Sequence, residues 1–385
     1  MRNTLLGITG SAVLLAMSGA HAAEDTDQRI EQLQSEIVEL RQQVAATADA
    51  VEANSGVPSR TTIGGYGELH YNNLETDDGS AQTKEMDLHR FVLFFGHAFD
   101  ERTRFVSELE VEHSIAGEGQ NGEVELEQAY VEFDLNPQTA ARGGVFLLPV
   151  GILNDTHEPT TFYGVERNPV EKNIIPTTWW EGGAMLTGRL ANSGFSYDAA
   201  LHSGLQMPTT GASAFSIRSA RQKVSEANAN NLAGTARLRY TGIRGLELAV
   251  SAQYQDDISQ VSGDGADSAT LLESHAIWNR GPFGVRALYA RWDIDGDAIA
   301  AAQKDEQTGY YLEGSYLLTP KLGAFVRHDV WNTSSVDANE FTQDSIGLNY
   351  WPQENVVLKF DYQNQDHDDS SKASDGFNLA IGYQF

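Results

Sequence analysis

The nine closing residues, Phe377-Asn-Leu-Ala-Ile-Gly-Tyr-Gln-Phe385, constrain this chain more than any other stretch. Phe377, Leu379, Ile381, Tyr383 and Phe385 are apolar, while Asn378, Ala380, Gly382 and Gln384 between them are small or polar. A period of two places these sets on opposite faces of a β-strand, one greasy and one wet. Two folds use such a strand: the edge of a soluble sandwich, and the closing strand of a barrel.

The rest of the chain decides between them. Sixteen candidate strands follow from the periodicity. They are Thr62–Asn73, Met86–Phe99, Thr103–Ile115, Glu123–Leu135, Ala141–Val150, Trp180–Leu190, Phe195–Gly204 and Leu232–Thr241. Then come Leu246–Gln255, Ala269–Asn279, Phe283–Asp293, Thr308–Leu318, Leu322–Trp331, Gln343–Trp351, Val356–Gln363 and Gly376–Phe385. Their lengths cluster near that of a tilted membrane-crossing strand, about ten residues. Short turns such as Asp100-Glu-Arg102 and Thr319-Pro-Lys321 alternate strictly with long polar loops such as 205–231 and 364–375. With the first strand rising from the periplasm, every short turn falls inside and every long loop outside. Sandwiches have no need of this order. The expected fold is an all-β transmembrane barrel of sixteen antiparallel strands, its last strand resembling the signal read by the barrel-assembly machinery.

The N-terminus resembles an export signal: Arg2, an apolar run from Leu5 to Met17, and the small-x-small site Ala20-His21-Ala22. Residues 1–22 are expected to be removed. Over 23–53, Ile30, Ile37, Val44 and Val51 fall at position a of a heptad and Leu33 and Leu40 at d, the pattern of a short α-helical coiled coil in the periplasm. A single amphipathic helix lying on the barrel or membrane fits the same stripe. Residues 54–60 read as a linker and 61–385 as the barrel. The chain has no cysteine, which excludes a lipid-anchored cysteine, disulfides and thiolate metal sites.

The formal charge is −28, and about −29 once Arg2 leaves with the signal. Nucleic acid, which needs basic patches, is therefore not an expected partner. Mean hydropathy is −0.37, as in a barrel whose apolar residues alternate with polar ones.

Several strands reveal their faces. Leu246, Leu248, Val250, Ala252 and Tyr254 point one way, Glu247, Ser251, Gln253 and Gln255 the other. Lys359, Asp361, Arg237, Arg239, Arg327 and Asp329 are inward candidates, as are Glu108, Glu110, Glu112, Glu125, Glu127 and Glu273. Tyr240, Trp278, Tyr310, Tyr316 and Tyr350 suit an aromatic girdle. Glu123–Leu135 changes parity midway, which predicts a bulge. Met86–Phe99 carries apolar residues on both faces and assigns neither.

The third long loop, Gly151–Trp179, holds Phe162, Val165, Val170, Ile174 and Ile175, too apolar a set for a segment in water. Folded inward, its Asp155, His157, Glu158, Glu166, Arg167, Glu171 and Lys172 would narrow and charge a pore. A lid or a contact between subunits is the other reading of this loop.

The run from Arg142 through Phe146, Pro149, Gly151, Asn154, His157-Glu-Pro159, Arg167, Ile175-Pro176 and Trp180-Glu-Gly-Gly183 to Gly188 resembles the phosphate-selective porin O and P family. The resemblance implies a trimer of sixteen-stranded porins with an inward third loop. Arg142, Arg167, Lys172 and Arg189 are the cations nearest the expected constriction. Selective members use many lumen arginines and lysines, whereas this chain has 26 Lys+Arg against 54 Asp+Glu.

Acidic clusters in the outer loops, such as Asp366, Asp368 and Asp369, either bind divalent ions and lipopolysaccharide or form a solvated, repulsive surface. Arg218, Arg221 and Lys223 either collect anions at the mouth or form a solvated turn. No histidine spacing marks a metal site, and no catalytic set or cofactor is expected. The expected function is a passive porin in the Gram-negative outer membrane, surrounded by lipid and lipopolysaccharide. A structural, adhesive or solute-specific barrel is the alternative.

Overall fold

The computed structural model describes residues 60–261 and 263–385. The expected signal peptide and coiled coil, and all but the last residue of the linker, lie outside the described residues.

Sixteen strands form one closed antiparallel barrel. They are β1 (Thr61–Thr76), β2 (Gln82–Ala98), β3 (Thr103–Glu112), β4 (Val124–Asn136), β5 (Thr139–Leu147), β6 (Trp180–Leu190), β7 (Phe195–His202) and β8 (Ala233–Tyr240). β9 (Leu246–Gln255), β10 (Ala269–Arg280), β11 (Phe283–Ile294), β12 (Glu306–Thr319), β13 (Leu322–Asn332), β14 (Glu340–Gln353), β15 (Val356–His367) and β16 (Ser374–Gln384) complete it. Each strand pairs with its sequence neighbours, and β1 closes the ring on β16. At the seam Gly65 and Phe385 exchange two backbone hydrogen bonds of 2.9 Å. Only glycine fits at position 65, because a Cβ there would lie 2.2 Å from the Val92 carbonyl oxygen.

Alternation holds along the wall. In β9, Leu248, Val250 and Tyr254 face outward and are exposed, whereas Ser251, Gln253 and Gln255 are buried inward. Lys359, Asp361, Arg237, Arg327 and Asp329 point into the lumen and are buried. An exposed apolar exterior is what lipid requires. The bulge expected in β4 is present: Glu108 pairs with Gln128 and Leu109 with Leu126, leaving Glu127 as the extra residue. A second bulge, at His89 in β2, explains the unreadable faces of that strand. Glu68 pairs with Arg90 and Leu69 with Leu88, so the parity reverses there.

β5 ends three residues earlier than its apolar pattern predicts. Leu148 leaves the ladder to donate to the Trp179 carbonyl (3.0 Å), and Pro149 has no N–H to continue it. From there the third loop turns inward. Its Ile152, Val170, Ile174, Ile175 and Trp179 join Leu271, Trp292 and Trp331 of the wall and Leu205, Met207 and Ile258 of later loops in one buried apolar cluster.

Candidate functional site in the lumen

The neck of the third loop is clasped by two buried polar side chains. Asn154 donates to the carbonyls of Leu148 (2.8 Å) and Trp179 (2.9 Å) and accepts from Trp179 N (2.7 Å). Glu171, in the short helix α1 (Val170–Asn173), accepts from Ile152 N and Leu153 N, both at 2.6 Å. Its second oxygen accepts from Asn168 (3.0 Å) and the Tyr311 hydroxyl (3.0 Å). Gly151, at φ +79°, brings the backbone close, since a Cβ there would sit 2.6 Å from Glu171 Oε1. Burial pushes the Glu171 carboxyl up, only partly offset by these donors. Glu171 is wholly buried, so it braces the loop and does not line water.

The loop body reaches both sides of the barrel. On β3 and β4, His157 Nε2 lies 3.2 Å from Glu108 and 3.4 Å from Glu127. Burial alone would lower the His157 pKa, but the two carboxylates outweigh it and raise it well above the ordinary value. On β12, Tyr311 holds Glu171. In a closed ring of sixteen, β4 and β12 stand opposite each other. Between these poles Asp155 pairs with Arg237 of β8. Glu166 accepts from Asn72 (3.1 Å) and meets His70 Nδ1 (3.0 Å) of β1. Lys359 of β15 donates to Gly164 O (2.8 Å), its ammonium 3.6 Å from the Phe162 ring centre. Trp292 of β11 donates to Ile174 O (2.9 Å).

The remaining candidates are placed differently. Arg167 donates to Thr178 (2.8 Å), with Nε and Nη2 buried and without a hydrogen-bond partner among the described residues. Glu158 is half-buried and Lys172 exposed. Arg142 and Arg189 lie apart from the third loop. They line a cavity of about 800 Å³ at the short-turn end, with Arg102, Arg104, Arg239, Glu132 and Asp134. Arg142 Nε donates to Glu132 (2.5 Å), and its guanidinium lies 5.1 Å from the Tyr130 ring centre. Arg218 donates to Lys172 O (3.2 Å) and Thr177 O (2.9 Å), Arg221 to Thr178 O, and Lys223 to Glu123 and Glu125. These three cations are thus committed to the protein.

Sequence reasoning missed the partners on the wall: Glu68, His70 and Arg90, with Arg90 Nε 2.7 Å from Glu68. Period two marks them only as inward. The ion pairs join strands by register, which no local spacing records.

A family model described as phosphate-selective porin O and P matches residues 62–385. An uncharacterized protein of Aquifex aeolicus (strain VF5) is 32% identical over 360 residues, covering 86% of this chain and 81% of that one. The anion-selective porin from Comamonas acidovorans superposes with a TM-score of 0.62 at 12% identity, over 85% of this chain and 100% of that one. The outer membrane channel DcaP of Acinetobacter baumannii gives 0.59 at 13% identity, over 84% and 97%.

Proposed function

The chain belongs to the phosphate-selective porin O and P family, and from that membership we propose a passive, water-filled pore constricted by the third loop. The coarse assignment is an outer-membrane channel for small solutes. The observation that carries the finer one is the bracing of a single loop on opposite walls, at His157 and at Glu171. Asp155, Glu158, Glu166, Arg167 and Lys172 are the groups a solute meets there, and the buried His157 and Glu171 hold them in place. Arg142 and Arg189 act below, in the arginine-lined cavity. Acids dominate the lumen near the loop, so we assign poor to modestly cation-favouring selectivity. The arginine cavity supports the second reading, an anion preference. The protein performs no chemistry on its solutes. A homotrimer, export by residues 1–22, a periplasmic coiled coil over 23–53, recognition of β16 by the barrel-assembly machinery, and outer loops set in lipopolysaccharide belong to the same proposal.

Swelling of proteoliposomes tests it. Uptake of neutral sugars should fall steeply with solute size. Folded protein that admits no sugar would favour a plugged structural or adhesive barrel.

A further inference from the structure

Three histidines with no motif in common meet on one patch of the lumen wall. His70 lies on β1, His89 on β2, and His113 just beyond β3. The rings of His70 and His89 stack with centroids 4.5 Å apart and 12° between planes, and His113 meets His89 edge-on at 5.8 Å. Two carboxylates enter the patch. Glu166 Oε1, from the third loop, is 3.0 Å from His70 Nδ1. Asp87 Oδ2 is 2.8 Å from His113 Nδ1 and 3.2 Å from His89 Nδ1. His70, His89 and Glu166 each offer a ligand atom within 4.8 Å of the others, and so do Asp87, His89 and His113. His89 is common to both triads.

Two geometric observations point to a metal ion at this patch. First, His70 Nε2 lies 3.1 Å from Glu68, which Arg90 anchors in turn at 2.7 Å. A metal-ligating histidine commonly gives its other ring nitrogen to such a carboxylate, which leaves Nδ1 facing Glu166. Second, His89 is the extra residue of the β2 bulge. The bulge lets the consecutive residues His89 and Arg90 both point inward, and bulges of this kind re-aim side chains at sites. Among the described residues, no lysine or arginine is ion-paired with Asp87.

We propose that His70, His89 and Glu166, with Asp87 and His113 as an adjoining triad, bind a divalent first-row transition metal ion. Mixed imidazole and carboxylate ligands suit Zn²⁺ and its neighbours, whereas Ca²⁺ and Mg²⁺ prefer oxygen alone. Because Glu166 belongs to the third loop, the ion ties that loop to the β1–β2 wall.

Zn²⁺ titrated by calorimetry into the folded full-length protein in detergent, with excess Mg²⁺ to occupy the acidic loops, tests this independently of conduction. Saturable Zn²⁺ binding is expected, weakened by His89→Gln by at least the roughly 10–100-fold that loss of an outer-shell partner costs. If that variant does not fold, His70→Gln and His113→Gln read the two triads separately. Co²⁺ substituted for Zn²⁺ should show the visible absorption of nitrogen ligation. Absence of saturable binding, or undiminished affinity in folded variants, overturns the proposal.

Discussion

The Tyr311 hydroxyl donates a 3.0 Å hydrogen bond to Glu171, joining β12 to the neck of the third loop. The same carboxylate takes two backbone N–H bonds from Ile152 and Leu153. Glu171→Ala strands buried donors, which costs roughly 1–3 kcal/mol for each group left unsatisfied. The variant should unfold at lower urea concentration, and its open-channel current should become noisier as the loop loses its brace. Tyr311→Phe, which removes one bond of the set, should cost about 1 kcal/mol. Equal stability of Glu171→Ala and the parent would show that the loop is held elsewhere.

His157 gives a pH dependence of defined sign. Its folded pKa is raised well above the ordinary 6.5 by Glu108 and Glu127. Its stabilisation is therefore complete below pH 6.5 and is lost progressively as pH rises from there through the raised value. His157→Gln leaves two buried carboxylates without their cation and should cost roughly 3–5 kcal/mol at pH 7. The gap between the two proteins should be flat below pH 6.5 and shrink steadily above it. Urea unfolding across that range measures it, and a gap that widens with pH would contradict the assignment.

Charge in the two zones should move selectivity in opposite directions. A unit charge about 10 Å from the ion path in water is worth about 0.4 kcal/mol, or a twofold change in relative permeability. Arg189→Ala should shift the reversal potential toward cations by that amount, and Glu158→Gln toward anions. A shift in only one of the two variants would mean that only one zone lies on the path.

Gly65→Ala tests the barrel seam. The added Cβ meets the Val92 carbonyl at 2.2 Å and the Phe385 ring at 2.9 Å. Overpacking of this kind costs roughly 1–3 kcal/mol. The fraction of protein migrating as the folded form without heating should drop.

The barrel was legible because its wall repeats one rule. Alternation in strands such as Leu246–Gln255, and short turns alternating with long loops, specify strand number and direction without any tertiary knowledge. The third loop declared itself by Phe162, Val165, Val170, Ile174 and Ile175, all of which are buried. The β4 bulge announced itself as a change of parity midway along Glu123–Leu135, and the register places it at Glu127. The bulge at His89 did not, because apolar residues occupy both sides of β2. Glu171 reads as one more loop acid, and only the fold turns it into a brace. Arg142 and Arg189 are near the third loop in sequence but lie at the short-turn end, since strand direction separates neighbours by the height of the barrel.

Single-channel recording in a planar bilayer under a KCl gradient addresses the constricted pore most directly. Stable openings that close in three steps are expected, with a reversal potential near zero or slightly on the cation side. Properly folded protein that passes no current would contradict the pore, and a strongly anion-selective reversal potential would move control of selectivity to the arginine-lined cavity.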